Sequence, residues 1–135
     1  MPEELPGELK AQIDTVFKAF NSKNSTLFNS VYGGDLVVID GFAPFRWTGP
    51  NALIQWWADA EKWAEDLGVE KEELAFNGIL AWGLKGNRAY ASISATLTIT
   101  LKKGESITRP GTLTYTFVKL GDVWKAEGHA WGRLS

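Results

Sequence analysis

The chain has 135 residues, 44% of them hydrophobic and 22% charged, with a formal net charge of −2. That is the size and balance of one globular domain with a substantial core, read as a single domain over residues 1–135. Interspersed charges of both signs give no electrostatic case for nucleic acid or an anionic membrane. The absence of Cys and the single His argue against disulfides and a protein-built metal site, so no metal is expected.

The acidic, Pro-containing start Met1-Pro2-Glu3-Glu4 is the opposite of a signal-peptide pattern, and no apolar run is long enough to span a bilayer. A cytoplasmic location is the expectation. Leu9, Ile13, Val16, Phe17 and Phe20 recur at helical spacing and predict an amphipathic helix from Gly7 to Ser22. A short second helix follows, capped by Asn24 or Ser25, with Leu27, Phe28 and Val31 inward and Gly33-Gly34 ending it. Asp35–Asp40 and Phe45–Thr48 predict two strands around Gly41-Phe42-Ala43-Pro44. Gly49-Pro50 opens a third helix, with Pro at its first position and Leu53, Trp56, Trp57, Ala60, Trp63, Ala64 and Leu67 as its buried stripe.

From Leu74 the period becomes two. Leu74–Leu84, Arg88–Leu101, Ile107–Leu120 and Val123–Leu134 predict four strands joined at Gly86-Asn87, Lys103-Gly104 and Gly121-Asp122. Helices first and a long antiparallel meander afterwards indicate an α+β fold. Ala89, Ala91, Ile93, Ala95, Leu97 and Ile99 share one face, as do Leu113, Tyr115 and Phe117, while Ser and Thr residues occupy the other. The last strand does not declare its inner parity, and Gly128 or Gly132 is placed to reverse it through a bulge. Pro110 implies an edge or bulge in its strand.

Seven Trp in so short a chain raise the question of what the rings enclose, although a helix needs only an apolar stripe to pack in a core. Asp40, closing an apolar strand, is either a turn former before Gly41 or a working carboxylate on the face of Leu36 and Val38. Apolar surroundings suit the second role, because they raise a carboxyl pKa towards neutrality. Glu127, His129 and Trp131 share one parity, so Glu127 is placed to orient His129 for acid–base work; the alternative is a His on a dimer face. Arg46 could bind a substrate carboxylate or pair with Asp40 and blunt it. Arg109 and Arg133 are assigned to the surface.

Val37-Val38-Ile39-Asp40, Gly49-Pro50-Asn51-Ala52-Leu53 leading into Trp56-Trp57, and Trp124…His129-Ala130-Trp131 together resemble the ketosteroid isomerase-like cone fold. That is the nuclear transport factor 2 superfamily, including its SnoaL-like cyclases; Phe45-Arg46-Trp47-Thr48-Gly49-Pro50 is most similar to uncharacterised SnoaL-like bacterial proteins. The resemblance covers nearly the whole chain. It implies a cone-shaped curved antiparallel sheet wrapped around three N-terminal helices, an apolar pocket, and a homodimer formed through the outer sheet face.

In steroid isomerases an Asp base works with Tyr and protonated Asp donors, and the spacing from Asp40 to Gly49 places Asp40 on the base. The first-helix donor position falls on Val16 or Phe17, neither of which can donate, whereas Tyr115 best fits the second donor. The chemistry implied is cofactor-independent isomerisation, cyclisation or dehydration of a small hydrophobic or aromatic metabolite. Asp40 would take the proton, Tyr115 or His129 would donate to the oxyanion, and Glu127 would orient His129. Trp47, Trp56, Trp57 and Trp131 would wall the pocket, joined by Val16, Phe17, Arg46, Trp82 and Phe117. The rival expectation is a non-catalytic binding or assembly module, with Asp40 neutralised by Arg46 and with His129 and Trp131 under a dimer partner.

Overall fold

The computed structural model describes residues 4–134; the acidic start Met1-Pro2-Glu3 lies outside them. Helices α1 (Gly7–Asn21), α2 (Ser25–Ser30) and α3 (Ala52–Leu67) accompany six strands. These are β1 (Tyr32–Ile39), β2 (Arg46–Thr48), β3 (Val69–Lys85), β4 (Arg88–Leu101), β5 (Ser106–Leu120) and β6 (Val123–Arg133). The strands form one sheet in the order β2-β1-β6-β5-β4-β3. Every neighbouring pair is antiparallel except β1–β6, which runs parallel and brings the end of β1 beside the middle of β6. The sheet is curved and unclosed, with the helices on its concave side. Register shifts along β3 and at Thr116/Phe117 mark the irregularities that bend it.

Alternation sorts the faces as expected. Ala89, Ala91, Ile93 and Ala95 of β4 and Leu113, Tyr115 and Phe117 of β5 are buried against Leu9, Ile13, Val16 and Phe17 of α1. Each large apolar side chain so covered contributes about 1.5–3 kcal/mol. Asn24 caps α2, its Oδ1 accepting from the Leu27 N–H at 3.0 Å.

Several elements differ from the sequence reading: β3 begins at Val69 rather than Leu74 and β1 at Tyr32 rather than Asp35. Gly33 and Gly34 lie inside β1 rather than ending α2. Pro50 sits in the turn before α3, not at its first helical position, because Gly49 at φ 91° bends the chain and its carbonyl accepts from Ala52 N. The predicted α3 stripe is fully buried only at its start: Ala52, Leu53 and Trp56 are covered, whereas Trp63 and Ala64 are half-buried and Leu67 is exposed. The C-terminal half of α3 overhangs a cavity instead of packing on the sheet.

Pro110 stands where β5 outruns β6. Its carbonyl accepts from Leu134 N, beyond the last paired residue Arg133, so its missing N–H points to a side that β6 no longer covers. In β6 the parity does reverse. Ala126 pairs with Phe117 and Gly128 with Thr116, which leaves Glu127 as the extra residue. Trp124 and Ala126 therefore face inward before the bulge, and His129 and Trp131 after it.

Candidate functional site

A cavity of about 580 Å³ opens between α3, the start of β3 and the concave face of β4–β6. Its wall carries the rings of Phe20, Phe28, Phe42, Trp56, Trp57, Trp63 and Trp131 together with charged side chains that include Asp40, Glu72, Arg109 and Arg133. Trp56 lies 5.0 Å from Trp57 and 4.9 Å from the His129 ring, both edge-on, and Phe42 stacks on Trp63 at 5.9 Å. These contacts fix the rings against one another, which leaves the cavity a defined shape.

Asp40 closes β1 at this wall. Its Oδ1 accepts from Gly41 N at 2.7 Å and its Oδ2 from Trp56 Nε1 at 3.0 Å. Burial is the main influence on the carboxyl and raises its pKa above the usual Asp value; the two donors pull it down, and nearby Glu72 pushes it further up. The Asp-before-Gly turn and the cavity carboxylate are thus the same residue: one oxygen holds the turn and the other meets the tryptophan.

His129 is buried and paired in register with Tyr115 on β5 and Val38 on β1. Its Nδ1 is 2.6 Å from the Tyr32 hydroxyl, which in turn lies beside that of Tyr115. Among the described residues no buried side-chain nitrogen or oxygen lacks a partner and none bonds Nε2, so Nε2 opens on the cavity that His129 lines. Desolvation lowers the His129 pKa to about 4, which keeps the ring neutral at physiological pH. Burial likewise pushes the Tyr32 and Tyr115 hydroxyls up, so both remain protonated donors.

The imidazole has a consequence for stability. Its folded pKa near 4 lies below the ordinary 6.5, so between those values the unfolded chain binds the extra proton. Stability attributable to the neutral ring is complete above pH 6.5 and is lost as pH falls to about 4, to the extent of about 3 kcal/mol. Urea unfolding of the wild type and a His129→Asn variant across pH 4–7 is expected to show the difference between them shrinking as the solution is acidified. A constant difference would contradict a buried neutral His.

Of the residues singled out by sequence, the cavity wall brings together Val16, Asp40, Trp56, Trp57, Tyr115, His129 and Trp131. Others lie elsewhere. Glu127 does not orient His129: as the bulge residue it is turned to the outer side and bonds Arg88 Nη1 at 2.9 Å, and Tyr32 takes the position beside the imidazole. Arg46 does not neutralise Asp40. It pairs in register with exposed Ile39, on the face opposite Val38 and Trp47, and lines a separate cleft with Pro44, Gln55 and Ala58.

Trp47 also borders that second cleft and donates Nε1 to Asp59 Oδ2 at 2.8 Å. Phe17 and Phe117 are core residues behind the cavity, in ring contact with Phe76 and Tyr115 respectively. Trp82 is partly buried and packs against the core without joining the wall. Arg109 and Arg133, assigned to the surface by sequence, line the cavity. Tyr32 was missed altogether. The available signal was a Tyr directly after an apolar helix face, since a buried hydroxyl requires a partner.

Among the described residues no group of three or more His, Cys, Asp and Glu could hold a metal ion. No helix among them is long and apolar enough to cross a membrane.

A curved, unclosed α+β sheet with helices on its concave side is the fold of nuclear transport factor 2-like proteins. Solved structures with this fold include a nuclear transport factor 2-like superfamily protein from Salmonella enterica serovar Typhimurium, 14% identical with a TM-score of 0.77, matching 95% of this chain and 89% of that one. A protein from Streptomyces avermitilis, named provisionally as a dehydratase of the same family, is 11% identical with a TM-score of 0.77 and 94% of each chain covered. A type 2 hexachlorocyclohexane dehydrochlorinase is 8% identical with a TM-score of 0.79, covering 95% of this chain and 84% of that one. At these identities the likeness is one of fold. No curated protein matches the sequence. The SnoaL-like domain matches residues 9–130, and the chain belongs to that family.

Proposed function

We propose that the protein binds a small hydrophobic or aromatic metabolite in this cavity and catalyses cofactor-independent proton transfer on it, with Asp40 as the base. The observation that carries the reading is a carboxyl whose pKa is raised by burial, in an aromatic wall that also presents the open Nε2 of a neutral histidine. Asp40 would remove a proton from a carbon next to a carbonyl, and the C–H electron pair would pass to the carbonyl oxygen. His129 Nε2–H or the Tyr115 hydroxyl would donate to that oxyanion while Tyr32 holds Nδ1. Return of the proton to another carbon gives isomerisation; loss of a β-hydroxyl as water gives dehydration.

Names given to neighbours of the same fold, a dehydrochlorinase and a provisional dehydratase, support proton-abstraction chemistry as a class. The non-catalytic alternative predicts an Asp40–Arg46 pair, and Arg46 lies on the other face. Solvent-deuterium exchange into enolisable cyclic ketones, in the wild type and an Asp40→Asn variant, tests the reading.

We also propose that the chain forms a homodimer through the outer face of β4 and β5, where Ser92, Ser94, Thr112 and Thr114 are half-buried in the single chain and present a flat hydroxyl-bearing surface. Sedimentation at micromolar concentration is expected to give twice the 14.9 kDa chain mass. A species of 14.9 kDa would contradict it.

A further inference from the structure

One end of the cavity is built differently from the rest. Arg109 pairs in register with Leu97 and Arg133 with Gly111, and Leu97 and Gly111 lie on the concave face. The two arginines are therefore diagonal neighbours on β5 and β6, with Cα atoms about 7–8 Å apart, and both belong to the cavity wall.

Gly111 lies between them. A Cβ built there would stand 2.6 Å from Trp131 Cη2 and 2.7 Å from Cζ2, so the indole rests directly on the glycine backbone. Any side chain at 111 would lift it. The result is an aromatic plate with Arg109 one inward position before the glycine and Arg133 directly across from it.

The acidic side chains of the mouth are on other elements. Glu61 and Glu65 are exposed on α3, Glu70 is exposed at the start of β3, and Glu72 of β3 is 3.6 Å from Lys23. Arg109 is half-buried and forms no ion pair among the described residues. Guanidinium is the side chain best matched to a planar oxyanion, and it stacks readily beside aromatic rings. In a mostly apolar cavity a few such groups fix which way round a ligand lies.

We propose that Arg109 and Arg133, flanking Trp131, form a subsite for the carboxylate or equivalent oxyanion of a flat, hydrophobic ligand. The substrate class is then an aromatic or alicyclic organic acid, bound with its anionic end at β5–β6 and its ring body reaching towards Asp40. The inference rests on the cavity being a small-molecule site, as argued above.

Two fluorescent probes share one aromatic skeleton and differ by a sulfonate: 1-anilinonaphthalene-8-sulfonate and neutral N-phenyl-1-naphthylamine. Titrations are compared for the wild type and an Arg109→Gln/Arg133→Gln double variant. Loss of charge-assisted hydrogen bonds should weaken the sulfonate probe about tenfold or more, with the neutral probe unchanged within about twofold. In the wild type, about 0.5 M NaCl should weaken only the sulfonate probe.

Retained binding of the neutral probe shows that the variant is folded and its cavity intact. Equal weakening of both probes, or an unaltered sulfonate affinity, would overturn the subsite while leaving the cavity standing. Failure of both probes to bind the wild type would overturn the cavity reading and the subsite with it.

Discussion

Asp40→Asn is expected to slow solvent-deuterium exchange into cyclic ketones by about 10²–10⁴-fold, the usual contribution of a positioned general base. The substitution changes little else. Asn keeps an acceptor oxygen for Gly41 N or Trp56 Nε1, so the turn and the indole have a reason to stay in place. Folding stability should hold or rise at neutral pH. The Asp40 pKa is raised by folding, so its contribution to stability is full below the unfolded value and is lost as pH rises through the folded one. A neutral amide escapes that loss, the trade-off expected where a working group is held in an unfavourable setting. Exchange at the wild-type rate in a folded Asp40→Asn variant would remove Asp40 from the chemistry.

Gly128→Ala is expected to be the most damaging single-methyl change in the chain, destabilising it by more than about 4 kcal/mol. Gly128 has φ 150°, and a Cβ there would lie 1.6 Å from the Val37 carbonyl oxygen and 2.7 Å from its carbonyl carbon. Neither is the end of a flexible side chain that could swing away; both are backbone of the neighbouring parallel strand. The close approach is also what positions the site. It seats β1 on β6 at Val37↔Gly128 and Val38↔His129, two residues before Asp40 emerges at the cavity. Denaturant unfolding measures the loss, and Gly132→Ala is the control, because its Cβ would meet only Thr112 Oγ1 at 3.4 Å. Comparable stability in the two variants would contradict the role given to the bulge.

That bulge also marks the limit of what could be read without coordinates. Strands, hairpin turns and the inner faces of β4 and β5 were legible because period-two alternation at Ala91, Ile93, Leu113 and Tyr115 is a local signal. Asp40 was legible for the same reason, through its parity with Val38. In β6, alternation fails at the extra residue Glu127, so the shared parity of Glu127 and His129 falsely joined them, while Tyr32 arrived at the imidazole from a strand 97 positions away in sequence. The parallel β1–β6 pairing that brings it there leaves no short-range trace.

Arg46 and Arg109 were misplaced for the same reason. Arg109, beside Pro110, reads as surface, and Arg46, so near Asp40 in sequence, reads as a pocket residue; only cross-strand register puts Arg109 opposite Leu97 and Arg46 opposite Ile39. The half-exposed end of α3 is the converse case. Trp63 and Ala64 carry the pattern of a buried stripe, but the stripe lines the cavity rather than packing on the sheet.

The central claim is that folding places Asp40 in surroundings that make it a better base than an ordinary aspartate. Carbon-13 NMR titration of the Asp40 side-chain carboxyl, assigned by its loss in Asp40→Asn, reads this directly. The expected midpoint lies above the ordinary value of about 3.9, and Trp56→Phe, which removes the Nε1 donor, should move it higher still. A midpoint at or below about 3.9 in the folded protein would contradict the claim and return Asp40 to the role of a turn residue.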